Sequence, residues 1–275
     1  MTRAMKGRPL QPLLVLLLAS VALLQPNPIQ AGPVAVRYPE GLIHGFLTLQ
    51  TLDGSTLADG DLIQTLRADR VTDHMIFHFK DGSLYDETFV FTQRGTFRLL
   101  TEALVEKGPA FKHSMESSLN TLTGEVKIRY TDDDGKEKLL NQRLQLPPDL
   151  TASAMLPILL KNLPAGSPQI TVSLLAATPK PRLVKLVITR AGQDPFSTGA
   201  SSHKANRYTV KVEIGGAAGW IAPMVGQQPP DTSVWILAGE APSFLKSEGP
   251  LYAGGPMWRI QLVSPAWPQQ SLAQH

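Results

Sequence analysis

Along much of this chain apolar and polar residues alternate with a period of two. Val126, Ile128 and Tyr130 are interleaved with Glu125, Lys127 and Arg129, and Tyr208, Val210, Val212 and Ile214 with Thr209, Lys211 and Glu213. Successive side chains of a strand point to opposite faces, so the pattern predicts strands with one buried and one wet face. Less regular runs predict further strands at Ile43–Leu52, Val71–Phe79, Leu84–Gln93, Phe97–Val105, Leu139–Leu146, Ile170–Leu175 and Leu183–Thr189.

Four Asp-Gly pairs read as turns, because this dipeptide tolerates the positive φ of tight hairpins. They are Asp53-Gly54, Asp59-Gly60, Asp81-Gly82 and Asp134-Gly135. The third joins Val71–Phe79 to Leu84–Gln93, and the fourth joins Glu125–Tyr130 to Leu139–Leu146. One segment departs from alternation. After Pro147-Pro148, residues Leu150, Leu156, Leu159, Leu160 and Leu163 are spaced for a short helix, within a connector at about 149–163 and with Asp149 or Ser153 as its N-cap. Proline inside a helix costs about 3 kcal/mol, so Pro157 requires the helix to start near Met155 or to kink. From Gly215 onward the chain is dense in Gly and Pro and carries all four tryptophans, Trp220, Trp235, Trp258 and Trp267.

These elements predict a mainly β fold, an antiparallel barrel or half-barrel with one short helix. Residues 32–268 form a single β-rich domain, with strands from the N-terminal half and a C-terminal half that closes the sheet. A split into two domains near the helix is the alternative. Residues 269–275 form a tail.

The first 31 residues have a different character. Arg3, Lys6 and Arg8 precede an apolar run from Pro12 to Leu24, followed by Gln25-Pro26-Asn27-Pro28 and Ile29-Gln30-Ala31. This is the layout of a secretory signal, with cleavage expected after Ala31. The run is short for a membrane span, so no transmembrane anchor is expected after cleavage and the product is periplasmic or secreted. Those three residues account for the formal net charge of +3, and the remaining Lys and Arg balance the 23 Asp and Glu. A mature chain without basic excess argues against a nucleic-acid partner. With no cysteine, there is neither a disulfide nor a thiol for lipid attachment.

Catalytic and metal chemistry find no local support. His74 and His78 share one face of a strand but stand roughly 13 Å apart, too far for one ion. Asp132-Asp133-Asp134-Gly135 lacks the flanking ligands of a calcium loop and reads as a hairpin tip. There is no nucleophile elbow and no thiol. Ser201, Ser202 and His203 are neighbours in a chain that reads as extended, next to an apparent loop at Ser197-Thr198-Gly199-Ala200, and Gly215-Gly216-Ala217-Ala218-Gly219 lacks the spacing of a nucleotide loop. Asp86 and Glu87 fall on opposite faces of their strand. No cofactor, metal or catalytic residue is therefore assigned, although a hydrolase site assembled from distant groups such as His203, Asp194 and Glu248 is kept as a third reading.

Binding remains. Trp220, Trp235, Phe244, Tyr252 and Trp258 are candidate ligand-binding residues, because aromatic rings bring flat apolar area suited to a lipid-like or sugar ligand. The competing reading is that they fill the core and plug the end of a barrel. Two stretches also carry a resemblance. One is Pro147-Pro148-Asp149-Leu150 followed by Leu159-Leu160-Lys161-Asn162-Leu163-Pro164. The other runs from Ile221-Ala222-Pro223-Met224 through Val234-Trp235-Ile236 to Gly254-Gly255-Pro256-Met257-Trp258-Arg259-Ile260. Together they resemble an uncharacterised family of secreted bacterial proteins, distantly similar to periplasmic domains of unknown function built as large antiparallel barrels or half-barrels. The resemblance implies a fold and an address, and no activity. The leading expectation is a periplasmic binding or carrier protein for an apolar or amphipathic ligand. The alternative is an envelope scaffold or interaction module with no small ligand.

Overall fold

The computed structural model describes residues 30–263 apart from 165, 168, 199–200 and 214–228. The leader residues 1–29, Ile214, Gly215–Gly219, Trp220, the resemblance segment Ile221–Gln228, Trp267 and the tail 269–275 lie outside the described residues. In chain order the elements are β1 (Gln30–Ala31), β2 (Ile43–Thr51), β3 (Thr56–Arg67), β4 (Arg70–Phe79), β5 (Leu84–Arg94), β6 (Thr96–Lys107), β7 (Met115–Asn120), β8 (Glu125–Thr131), β9 (Glu137–Arg143), β10 (Leu150–Thr151), α1 (Leu156–Asn162), β11 (Gln169–Ala176), β12 (Arg182–Thr198), β13 (Ser201–Glu213), β14 (Thr232–Leu237), β15 (Phe244–Pro250) and β16 (Met257–Val263).

All the strands join one sheet in the order β1-β11-β12-β13-β14-β15-β16-β2-β3-β4-β5-β6-β7-β8-β9, with β10 also on β11. Two antiparallel meanders, β2 to β9 and β11 to β16, meet where β16 pairs with β2. The C-terminal strands thus sit inside the sheet, between β13 and β2, instead of closing it. Only the two-residue stubs β1 and β10 run parallel to their neighbour. No ladder among the described residues joins β9 to the β11 end, so the sheet is an open half-barrel. Its ends still approach each other, because Leu175 and Ala177 share a small cavity with Val126 and Ile128 of β8.

The alternation in the sequence is the alternation of burial. In β4, Val71, Asp73, Met75, Phe77 and Phe79 are buried while the residues between them are not. Asp81-Gly82 is a hairpin turn, with Gly82 at φ +86° and its N–H donating to the Phe79 carbonyl. Asp53-Gly54 and Asp134-Gly135 are turns as well. Asp59-Gly60 is not a turn; it lies inside β3. Gly60 pairs with Phe77, and a Cβ there would sit 2.5 Å from the Ile76 carbonyl oxygen and from the Phe77 ring. The glycine permits close approach within the sheet, which is the other meaning of a strand glycine. Ser197 and Thr198 pair with Ser202 and Ser201, so these two residues of the expected loop are strand residues instead.

The helix begins at Leu156, with Pro157 in its first turn, where the missing N–H leaves no bond unmade. Asp149 and Ser153 do not cap it; the N-cap is Met155, without a side-chain bond. Asp149 is instead buried, accepting a hydrogen bond from the Ser173 hydroxyl at 2.9 Å and facing Lys185 at 3.3 Å. Helix α1 lies inside the curl of the sheet against β14 and β15, with Ile158, Leu159 and Leu160 buried. One end of the half-barrel is covered by the segment before β2. There the N–H groups of Arg37 and Tyr38 each donate to Asn162 Oδ1 at 2.7 Å, and Phe97 N–H donates to the Val34 carbonyl. The other end is filled by the rings of Phe79, Phe111, Tyr252 and Trp258, whose centroids lie 5.0 to 5.9 Å apart.

Candidate functional site

The inner faces of β4, β5 and β6 carry acidic residues at positions that elsewhere hold apolar ones. Asp73 and Glu102 flank Phe89 from opposite neighbouring strands, Glu87 stands opposite Met75, and Glu106 stands opposite Tyr85. Asp73 is 2% exposed and Glu87 1% exposed. A fifth carboxylate, Glu40, enters from the segment before β2 and meets Lys161 of α1, whose ammonium lies 2.7 and 2.9 Å from its two oxygens. Gln64 donates to Glu40 at 3.2 Å. Glu87 accepts from the Tyr85 hydroxyl at 2.6 Å and from the Ala154 N–H at 3.2 Å. The cluster therefore ties the sheet to the residues that lead into α1.

One oxygen is left over. Asp73 Oδ1 is buried with no hydrogen-bond partner among the described residues. Burial, and then the negative charges of Glu87 and Glu40, push the Asp73 carboxyl up to about 8, with Lys161 only partly opposing them. Burial, with Glu87 behind it, pushes Glu106 up to about 7. Glu87 and Glu102 are also raised, chiefly by burial. At neutral pH Asp73 thus holds a proton. Among the described residues no three His, Asp or Glu side chains converge as metal ligands. The cluster thus gathers four inward carboxyl groups raised chiefly by burial, beside the Glu40–Lys161 ion pair.

A cleft opens elsewhere. It has about 310 Å³ and is lined by Thr88, Thr101, Ser118, Asn120, Glu125 and Lys127 on the outer face of β5 to β8, reaching Glu102 between them. A second space, which Glu102 also lines, has only about 10 Å³, room for about one water molecule.

The four described aromatic residues among those singled out from the sequence are not brought to one place. Tyr252 and Trp258 are neighbours in the ring cluster at one end, where the Tyr252 hydroxyl donates to the Ala110 carbonyl at 3.0 Å. Phe244 also packs against the core, but it is five residues along β15 from Gly249, the partner of Trp258, a separation of roughly 16 Å. Trp235 is on the outer face. Its indole N–H donates to Asp194 at 2.7 Å, and the Lys246 ammonium stands 4.1 Å above its ring. The polar trio does not converge either: Asp194 and His203 are diagonal neighbours on β12 and β13, but Glu248 is remote from His203. Asp194 is held by Trp235 and Arg207, and Glu248 by Lys246 and Arg259. Glu248 aligns through Ser233 with Thr209, six residues along β13 from His203, or roughly 20 Å. His74 bonds Asp86 at 2.9 Å on the outer face, while Glu87 turns inward. The signal for the acidic cluster was nonetheless present in the sequence. Asp73 breaks the apolar register Val71, Met75, Phe77, and Glu87 breaks Tyr85, Phe89, Phe91.

No family model matches the chain, and no curated protein matches it. Among solved structures the chain is similar to a β-barrel-like protein of domain of unknown function DUF1849 from Brucella abortus, at 12% sequence identity and a TM-score of 0.45, covering 82% of this chain and 98% of that one.

Proposed function

We propose that the exported chain works outside the cytoplasm as a protein-interaction module rather than as a carrier of an enclosed apolar ligand. The observation that carries this reading is the filled interior. Helix α1 and the buried side chains of the sheet occupy the space in which a half-barrel would hold a lipid, and both ends are covered. Carriers built on curved sheets keep that space open. The rim offers a contact surface. Strand β9 pairs with β8 alone among the described residues, and its Leu139 is 69% exposed. An end strand presents unpaired backbone N–H and C=O groups, the basis of recognition by strand addition.

The outer cleft favours a second reading. Hydroxyl, amide and charged groups stand there beside the apolar surface of Ala103 and Leu119, a mixed lining that suits an amphipathic molecule such as a saccharide, and its volume lies at the lower end for ligand sites. Native mass spectrometry of the protein purified from the cell envelope separates these readings. The interaction module runs at its bare mass, and photo-crosslinkers at Leu139 give a discrete protein adduct in intact cells while those at His78 do not. A stoichiometric lipid adduct overturns the proposal in favour of the carrier. A sugar-sized adduct lost on substitution of Lys127 favours the cleft.

A further inference from the structure

We propose that β9 pairs with β9 of a second copy of this chain, antiparallel about a two-fold axis, so that two half-barrels share one continuous sheet. The inference rests on the interaction reading above and names its partner. Strand β9 reads Glu-Lys-Leu-Leu-Asn-Gln-Arg from Glu137 to Arg143. Run antiparallel to itself with Leu140 on the axis, it sets Glu137 opposite Arg143 of the other copy, Lys138 opposite Gln142 and Leu139 opposite Asn141. Glu137, Leu139, Asn141 and Arg143 are all exposed and all lie on the outer face, so each opposed pair shares a side of the sheet. Opposite charges directly across an antiparallel ladder stabilise it, and like charges oppose it.

Other arrangements fail this test. With Leu139 on the axis, Glu137 meets Asn141 and Lys138 meets Leu140. With Asn141 on the axis, Leu139 meets Arg143. In parallel pairing Glu137 meets Glu137 and Arg143 meets Arg143. Only the Leu140 register sets Glu137 against Arg143, and the two-fold axis forms the match twice. On the inner face the same register brings the two Leu140 side chains together. They extend the core, since Leu140 already packs against it within each copy. Glu137 has one cation nearby, Arg129 at 3.7 Å with both groups exposed, which leaves it accessible to Arg143 of the second copy.

Seven residues of edge make a small interface, so the association is concentration-dependent. Sedimentation of the purified exported chain over a concentration series reads it directly. The wild-type chain shows a monomer–dimer equilibrium. Glu137→Arg alone and Arg143→Glu alone each weaken it at least tenfold, and the double variant restores it. An equimolar mixture of the two single variants forms a heterodimer, because each supplies the charge that the other lacks. That arm also shows that both variants are folded. A chain that stays monomeric throughout, or a dimer indifferent to the single exchanges, overturns self-pairing. If such a monomer still crosslinks from Leu139 to a different protein in cells, self-pairing fails while the interaction reading stands.

Discussion

Asp73 and Glu87 occupy inward positions of β4 and β5 where the register calls for apolar side chains, and that displacement makes stability depend on pH. Asp73 is raised from 3.8 to about 8, so the folded chain keeps a proton that the unfolded chain has already released. Stability from this group is present in full below its unfolded value and is lost as pH rises through its folded one. One such group contributes a slope of about 1.4 kcal/mol per pH unit in that window. Asp73→Asn removes this contribution. Urea unfolding between pH 5 and pH 8 should show the wild type losing stability relative to the variant at about that slope, and a constant difference would mean that Asp73 holds no proton. Gly60→Ala puts a methyl against the Ile76 carbonyl and the Phe77 ring, and overpacking of this kind lowers unfolding free energy by about 1–3 kcal/mol, readable as a lower denaturation midpoint. The composition of these strands was legible in the sequence, but the meaning of each exception was not. An Asp-Gly pair serves equally well as a turn or as a gap for a ring, and only the position of Phe77 decides between them.

At the scale of elements, α1 is the piece that turns a curved sheet into a filled one, and a buried ion pair joins the Asn162 hydrogen bonds in holding it to the segment before β2. Lys161→Met leaves the Glu40 carboxylate buried without its cation. Breaking such a pair from one side costs about 3–5 kcal/mol, whereas replacing both partners is close to neutral. Thermal unfolding should therefore show a large loss for Lys161→Met and recovery of most of it in Glu40→Gln with Lys161→Met; equal losses in the two variants would mean that the lysine acts through its packing alone. The start of α1 could be read from Pro157, because proline is tolerated in a first turn and nowhere later. Strands β14 to β16 could not be read. Val234, Trp235 and Ile236 are all buried, two against the core and one beneath Lys246, which erases the alternation. Gly249 and Pro250 then interrupt β15 in a way that reads as loop.

For the whole molecule, the half-barrel was legible because nine stretches alternate and three Asp-Gly pairs do turn the chain. The order of its strands was not, because nothing local specifies that the last described strand should lie beside the first long one. The carrier expectation came from the same gap. A curved sheet with nearby aromatic residues suggests a hollow, and only the placement of α1 and of the Phe79, Phe111, Tyr252 and Trp258 rings shows where the volume goes. The join between β16 and β2 carries one further consequence. It links residues such as Arg259 and Leu52 across 207 positions of sequence, and loops of that span close slowly. Until Met257–Val263 has been synthesised, β2 has no neighbour on that side, and a chain paused at that point shows its surroundings a bare β2 flank. Translation order therefore makes the carboxyl-terminal strand the keystone of assembly, and the amino-terminal meander waits longest for its partner.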